Sequence, residues 1–184
     1  MLKVKSSHPI GWLALAAFIL TIPLGNWVVM NIGTTCVPDG PCLIPVWPGL
    51  MAPSGVLLAG LALVLRDAVH SWLGAAWSVL AIVVGAALSA WLSPSALVLA
   101  SATAFLFSEL ADLAVYAPLR RRYPASAVIA SGIAGSIVDS LLFLTIAFGS
   151  LQYLWGQVLG KFWMSLLVGV AIGLIEKRRR ELAA

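Results

Sequence analysis

Four ionisable residues, Glu109, Asp112, Asp139 and Lys161, are embedded in hydrophobic sequence, whereas the other ten of the eleven Lys and Arg residues flank apolar stretches. A charge at the centre of a bilayer costs roughly 2.5–3.5 kcal/mol on insertion scales, so such residues ordinarily face a protein interior or a cavity. Carboxylates and an amine in that setting can pair with each other, hydrogen-bond a polar solute or exchange protons. Helical spacing groups them. Glu109, Asp112 and Tyr116 are spaced by three and four and share one face. Ser136 and Asp139 are three apart, Gln157 and Lys161 four apart, and Asn26 adds an amide to the first apolar stretch. Each of these helices bears one polar stripe, as expected where several helices surround a common cavity. The plainer alternative is a buried network that only fixes helix register. Three carboxylates against one lysine exceed what such a clasp requires. The only histidines, His8 and His70, fall on the face opposite the cysteines, so no metal site and no cofactor is expected.

These residues must be positioned by membrane helices. The chain is 61% hydrophobic and 10% charged, with a mean hydropathy of +1.03, which excludes an ordinary soluble domain. A spanning helix needs about 20 apolar residues. Six segments qualify, roughly 9–31, 51–70, 72–92, 95–118, 125–148 and 152–175. The expected fold is all-α and polytopic, with one integral domain over residues 1–184 and no room for a soluble catalytic or ATP-binding module. Lys3 and Lys5 precede the first segment, Arg66 ends the second, Arg120, Arg121 and Arg122 follow the fourth, and Lys177, Arg178, Arg179 and Arg180 follow the sixth. The alternate loops 32–50, 93–94 and 149–151 contain no Lys or Arg. The positive-inside rule then puts both termini in the cytoplasm of a multi-pass protein of the bacterial inner membrane. Trp27, Trp47, Trp91 and Trp155 fall near the outer interface, Trp12 and Trp72 near the inner one. The net charge of +4 comes from membrane-flanking clusters, which implies lipid rather than nucleic acid as a partner. The first segment opens like a signal peptide but is too long for one, and is read as retained.

Pro9 suits a helix start, Ser93-Pro94 reads as an N-cap followed by proline at the first helical position, Pro118 marks a last turn, and the fifth helix begins after Pro124. Gly156/Gly160 and Ser165/Gly169/Gly173 form four-residue ladders that allow close helix contact, within the monomer or in a homodimer. In the long Pro- and Gly-rich connection from Thr34 to Ala52, Cys36 and Cys42 flank a Val-Pro-Asp-Gly-Pro turn. They could form a disulfide on an oxidising face or remain reduced. At 1.5 Å per residue, Asp139 and Lys161 each lie roughly 15 Å from the outer ends of their helices, so an ion pair is expected. Glu109 falls near the midplane, Asp112 nearer the cytoplasm, and Asn26 and Gln157 in the outer half, all lining one outward-opening pocket. With Lys161 committed to Asp139, Glu109 has no cationic partner at its depth. Arg66 and Asp67 are adjacent and point about 100° apart, so they need not pair. Arg66 can snorkel to the inner surface.

No enzyme is expected: there is no Walker motif, metal-ligand spacing or nucleophile elbow, and Asp112 and Asp139 lack the glycine-rich surroundings of an intramembrane protease. The segments APSGVLLAGLALVLRD, FLFSELADLAVYAPLRRR, GSIVDSLLFLTIAFGS and GQVLGKFWMSLL, in this order, resemble the VUT family of bacterial membrane proteins, transporters of queuosine precursors, from about Asn26 to Leu174. The resemblance implies a six-helix fold similar to the substrate-binding components of energy-coupling-factor vitamin transporters. Its implied cargo is 7-cyano- or 7-aminomethyl-7-deazaguanine. It puts functional roles on Glu109, Asp112, Tyr116, Ser136, Asp139, Gln157 and Lys161, and an inner-side motif on Arg66, Asp67 and Arg120. The cargo makes chemical sense, because the two adjacent N–H donors of a guanine-like edge match one carboxylate. Lys161, Gln157 or Asn26 could donate to its carbonyl, and Trp163, Phe162 or Trp27 could stack on it. Three readings stand: an importer of such a base, a binding subunit that needs a separate ATP-driven energy-coupling module, and a structural protein without cargo. Ala14, Ala16 and Ala17 miss the four-residue docking spacing of such subunits, which favours a solitary transporter.

Overall fold

The computed structural model describes residues 9–38, 40–92 and 98–183. The first apolar run forms α1, Pro9–Asn31. The connection that follows folds into a three-stranded antiparallel sheet of β1 (Thr35–Cys36), β2 (Cys42–Trp47) and β3 (Leu50–Pro53), in that order. Its sequence explains the outcome. Leu-Ile-Pro-Val-Trp favours an extended chain, and Pro48-Gly49 supplies the central residues of a hairpin turn with Gly49 at φ 78°, a value that favours glycine. Leu43 pairs with Pro53 and Ile44 with Ala52, with a register irregularity between Pro45 and Trp47. Cys36 faces Cys42 across β1 and β2, and the two are joined by a disulfide. The sheet is what shortens the second helix. Residues 51–53 belong to β3, so α2 begins at Val56 and runs past Arg66 to Trp72.

A tight turn at Gly74 leads into α3, Ala75–Leu92. The helices α4 (Val98–Leu119), α5 (Pro124–Phe148) and α6 (Leu154–Ala183) complete the chain. Pro124 occupies the first turn of α5, where its missing N–H costs nothing. Pro118 lies in the last turn of α4. Lys3, Lys5, His8, Asp39 and the Ser93-Pro94 cap lie outside the described residues. Among the described residues five helices are long and apolar enough to cross a membrane: α1, α3, α4, α5 and α6 as far as Ile175. The remaining helix, α2, has 17 residues, roughly 25 Å at 1.5 Å each.

The short helix is central. Among the described residues α2 packs against each of the other five helices, and α4 and α5 pack along each other. Polarity is therefore inverted relative to a soluble protein. Arg66, Asp67, Glu109, Asp112, Lys161 and a set of serines are buried, while Leu13, Leu20, Val83, Leu99, Leu167 and Leu174 are exposed. The small-residue ladders of α6 pack inside the monomer: a side chain at Gly156 would strike Met51, and one at Gly160 would strike Val56 at 2.8 Å. A side chain at Gly169 would strike Ile129, and one at Gly173 would lie 3.7 Å from Ala125.

Candidate functional site

Two polar centres occupy the core. The outer one is built on Lys161 of α6. Its ammonium donates to Asp139 Oδ2 at 2.5 Å, Ser140 Oγ at 2.8 Å and Gln157 Oε1 at 2.8 Å, so all three of its protons are used. Asp139 Oδ1 accepts from Ser108 Oγ at 3.5 Å. The spacings explain the convergence. Gln157 sits one turn before Lys161, while Asp139 and Ser140 reach it from α5. Gly60 on α2 lets the helices close, since a Cβ there would lie 2.6 Å from the Lys161 carbonyl.

A cavity of about 170 Å³ borders this centre, lined by Asp139, Lys161, Gln157, Asn26, Phe105 and Phe143 among others. Val29, Gly55 and Pro53, the last residue of β3, also line it. The volume is below the roughly 300–1,000 Å³ of pockets for drug-sized ligands, which points to a small solute. A second chamber of about 30 Å³ shares Asp139, Lys161 and Phe105 with the cavity wall and adds Ser108 and Glu109. It has room for about one water.

The inner centre is built on Arg66, which does not reach the inner surface: it is fully buried. Its Nε donates to Glu109 Oε2 at 2.9 Å, Nη2 contacts Asp112 Oδ1, and Nη1 lies 2.7 Å from Asp67 Oδ1. Glu109 thus has the cationic partner that the sequence did not reveal, and the adjacent Arg66 and Asp67 do pair. The reason is the shift of α2. The helix continues through His70 to Trp72, which leaves Arg66 more than a turn from its end and facing α4. Ser131 Oγ donates to Asp67 Oδ2 at 3.2 Å. Tyr116 lies with its ring 5.9 Å from the guanidinium and its hydroxyl 2.6 Å from Ser71 Oγ.

The expected site residues therefore divide. Asn26, Asp139, Gln157 and Lys161 line the cavity, and Glu109 lines the chamber. Asp112 and Tyr116 belong to the Arg66 centre, and Arg120 stands at the end of α4, its N–H bonded to Tyr116 O at 3.0 Å. Ser136 is buried but borders neither space. Trp163 is turned to the sheet, stacking on Trp47 with ring centres 6.0 Å apart and donating to Val46 O at 3.1 Å. The aromatic faces in the cavity are instead Phe105 and Phe143, indistinguishable in sequence from lipid-facing phenylalanines. Serines 108 and 140 were also missed, since serine is common in close-packed membrane helices.

Residues 54–175, well over half of the chain, match the family model described as "Putative vitamin uptake transporter". The chain belongs to this vitamin uptake transporter family. Both polar centres fall within the matched region of this family member, whereas Asn26, α1 and the disulfide precede it. With five helices among the described residues long and apolar enough to cross a membrane, this family member is a multi-pass membrane protein. No curated protein and no solved structure matches the chain.

Proposed function

We propose that this protein imports a queuosine precursor, 7-cyano- or 7-aminomethyl-7-deazaguanine, or a similar nucleobase-like solute, through the cavity beside Asp139. The observation that carries the reading is the lining of that space. One carboxylate, an amide on each of two helices, an ammonium and two phenyl rings surround about 170 Å³. A guanine-like edge offers adjacent N–H donors to Asp139, while Asn26 and Gln157 amides can serve its carbonyl. Phe105 and Phe143 provide apolar faces for a flat bicycle. With both termini in the cytoplasm, the sheet end of the cavity faces outward and Arg66 lies toward the inside, so the cargo reaches the outer centre first.

The test is restoration of queuosine in tRNA of a precursor-auxotrophic strain expressing this chain, in cells without any energy-coupling module. Restoration is expected, and Asp139→Asn should reduce it at least tenfold. Restoration only with an added ATP-driven module would instead make this a binding subunit. Lack of tight deazaguanine binding by purified protein would remove the cargo.

A further inference from the structure

The inner centre holds more acid than base. Arg66 is one cation among Asp67, Glu109 and Asp112, and all four are buried. The neighbouring Lys161–Asp139 pair is already balanced. The surrounding α1 and α3 carry no ionisable side chain that could help. With every carboxyl ionised, two negative charges would stand uncompensated in a medium that strongly disfavours them.

Geometry indicates how one charge is removed. Asp67 and Asp112 converge on the one guanidinium, Asp67 Oδ1 at Nη1 and Asp112 Oδ1 at Nη2. Asp112 Oδ2 is buried without a hydrogen-bond partner, and Asp67 Oδ1 has only its ion contact with Arg66 Nη1 at 2.7 Å. Two ionised carboxylates held on one buried guanidinium repel each other, so a proton held by this pair removes one of the charges that Arg66 leaves uncompensated. The second charge is on Glu109. Its Oε2 is taken by Arg66, and the residue borders the chamber whose other walls are Ser108, Asp139 and Lys161. That chamber adjoins the larger cavity, with Phe105, Asp139 and Lys161 in the walls of both.

We propose that the Arg66 centre is a proton-binding site in which Asp67 and Asp112 share one proton, and Glu109 takes up and releases a second through the chamber in step with the cavity's occupant. The step forms the Glu109 O–H bond with a proton delivered by cavity water, without electron transfer. A metal cation fits the chamber poorly. It would find oxygen side chains only on Ser108, Glu109 and Asp139, beside the Lys161 ammonium, whereas hard cations gather about six or more oxygens. The charged and titratable groups around Glu109 are Arg66 and Asp67 on α2, Asp112 on α4, Asp139 on α5 and Lys161 on α6. His70, Tyr116 and Arg120 lie farther toward the end of the cluster. The coupling to an occupant rests on the transport reading above; the proton site does not.

Infrared difference spectroscopy of the protein in lipid vesicles, in H₂O and D₂O, tests this through the carbonyl stretch of protonated carboxyl groups. At neutral pH the wild type should show such a band, with its D₂O shift. One component should vanish in Asp67→Asn and Asp112→Asn. Another should titrate with bulk pH and be missing in Glu109→Gln, which keeps an acceptor oxygen for Arg66. A wild type without a protonated-carboxyl band at neutral pH would overturn the site, whatever the variants do. So would a titrating band that persists unchanged in Glu109→Gln. Adding 7-cyano-7-deazaguanine should change the Glu109 component. If calorimetry shows binding while that component stays constant, the coupling is wrong. If the compound does not bind and the bands behave as described, the proton site stands and the cargo reading falls.

Discussion

At the scale of single residues, Arg66 is the member of the core whose loss should matter most. Its three nitrogens each address a different carboxyl group, and removing one partner from a buried ionic network costs about 3–5 kcal/mol. Arg66→Gln should lower stability by that amount in detergent unfolding, and Arg66→Lys should recover only part of it, because one ammonium replaces a three-way fork. Unchanged stability in Arg66→Gln would show that the clamp contributes nothing. The outer pair makes a separate prediction. Asp139→Asn or Lys161→Gln alone should damage folding or uptake more than the charge swap, with a coupling of about 0.5–2 kcal/mol in a double-mutant cycle; strictly additive losses would argue against the pair. Lys161 and Asp139 were legible in sequence because no apolar helix tolerates them idly and their depths agreed. Arg66 was not, since it lies only a few residues from a helix end, where an arginine ordinarily reaches the surface.

At the scale of elements, the length of the apolar runs located the helices well, and α1 emerged at its expected limits, Pro9–Asn31. The sheet escaped because its strands are two to six residues long, too short for a periodic signal beside long apolar runs. Two tests address elements. Gly60 allows α2 to touch α6 at Lys161, where a Cβ on residue 60 would lie only 2.8 Å from the Lys161 Cα. Gly60→Val should push α6 outward, lower thermal stability and reduce uptake as strongly as the loss of Lys161 itself; a fully active valine variant would show that this approach is not needed. The disulfide closes a short loop, Cys36 to Cys42, for which chain entropy gives about 2 kcal/mol. Replacing both cysteines with serine should therefore lower stability measurably under oxidising conditions and leave no difference from the reduced parent protein.

At the scale of the whole molecule, the distribution of basic residues predicts sidedness. Cysteine labels placed after Lys5 and after Arg180 should both resist membrane-impermeant reagents in intact cells; modification of either would reverse the orientation and every depth assigned from it. The molecule divides into a neutral part, α1 and α3, without ionisable side chains, and a part where α2, α4, α5 and α6 share charge. That division also governs how the chain can be made. When α2 leaves the ribosome, Arg66 and Asp67 come with it, but Glu109 and Asp112 follow 43 and 46 residues after Arg66. At about 5–20 residues per second that wait is on the order of several seconds. Throughout it, a 17-residue helix has no counterion from α4 and cannot settle in lipid on its own. The expectation is that α2 stays in the insertion machinery until α4 arrives, its integration post-dated to a segment not yet translated. A chain truncated before Glu109 should leave α2 accessible to water and quickly degraded, even though every residue of that helix is present.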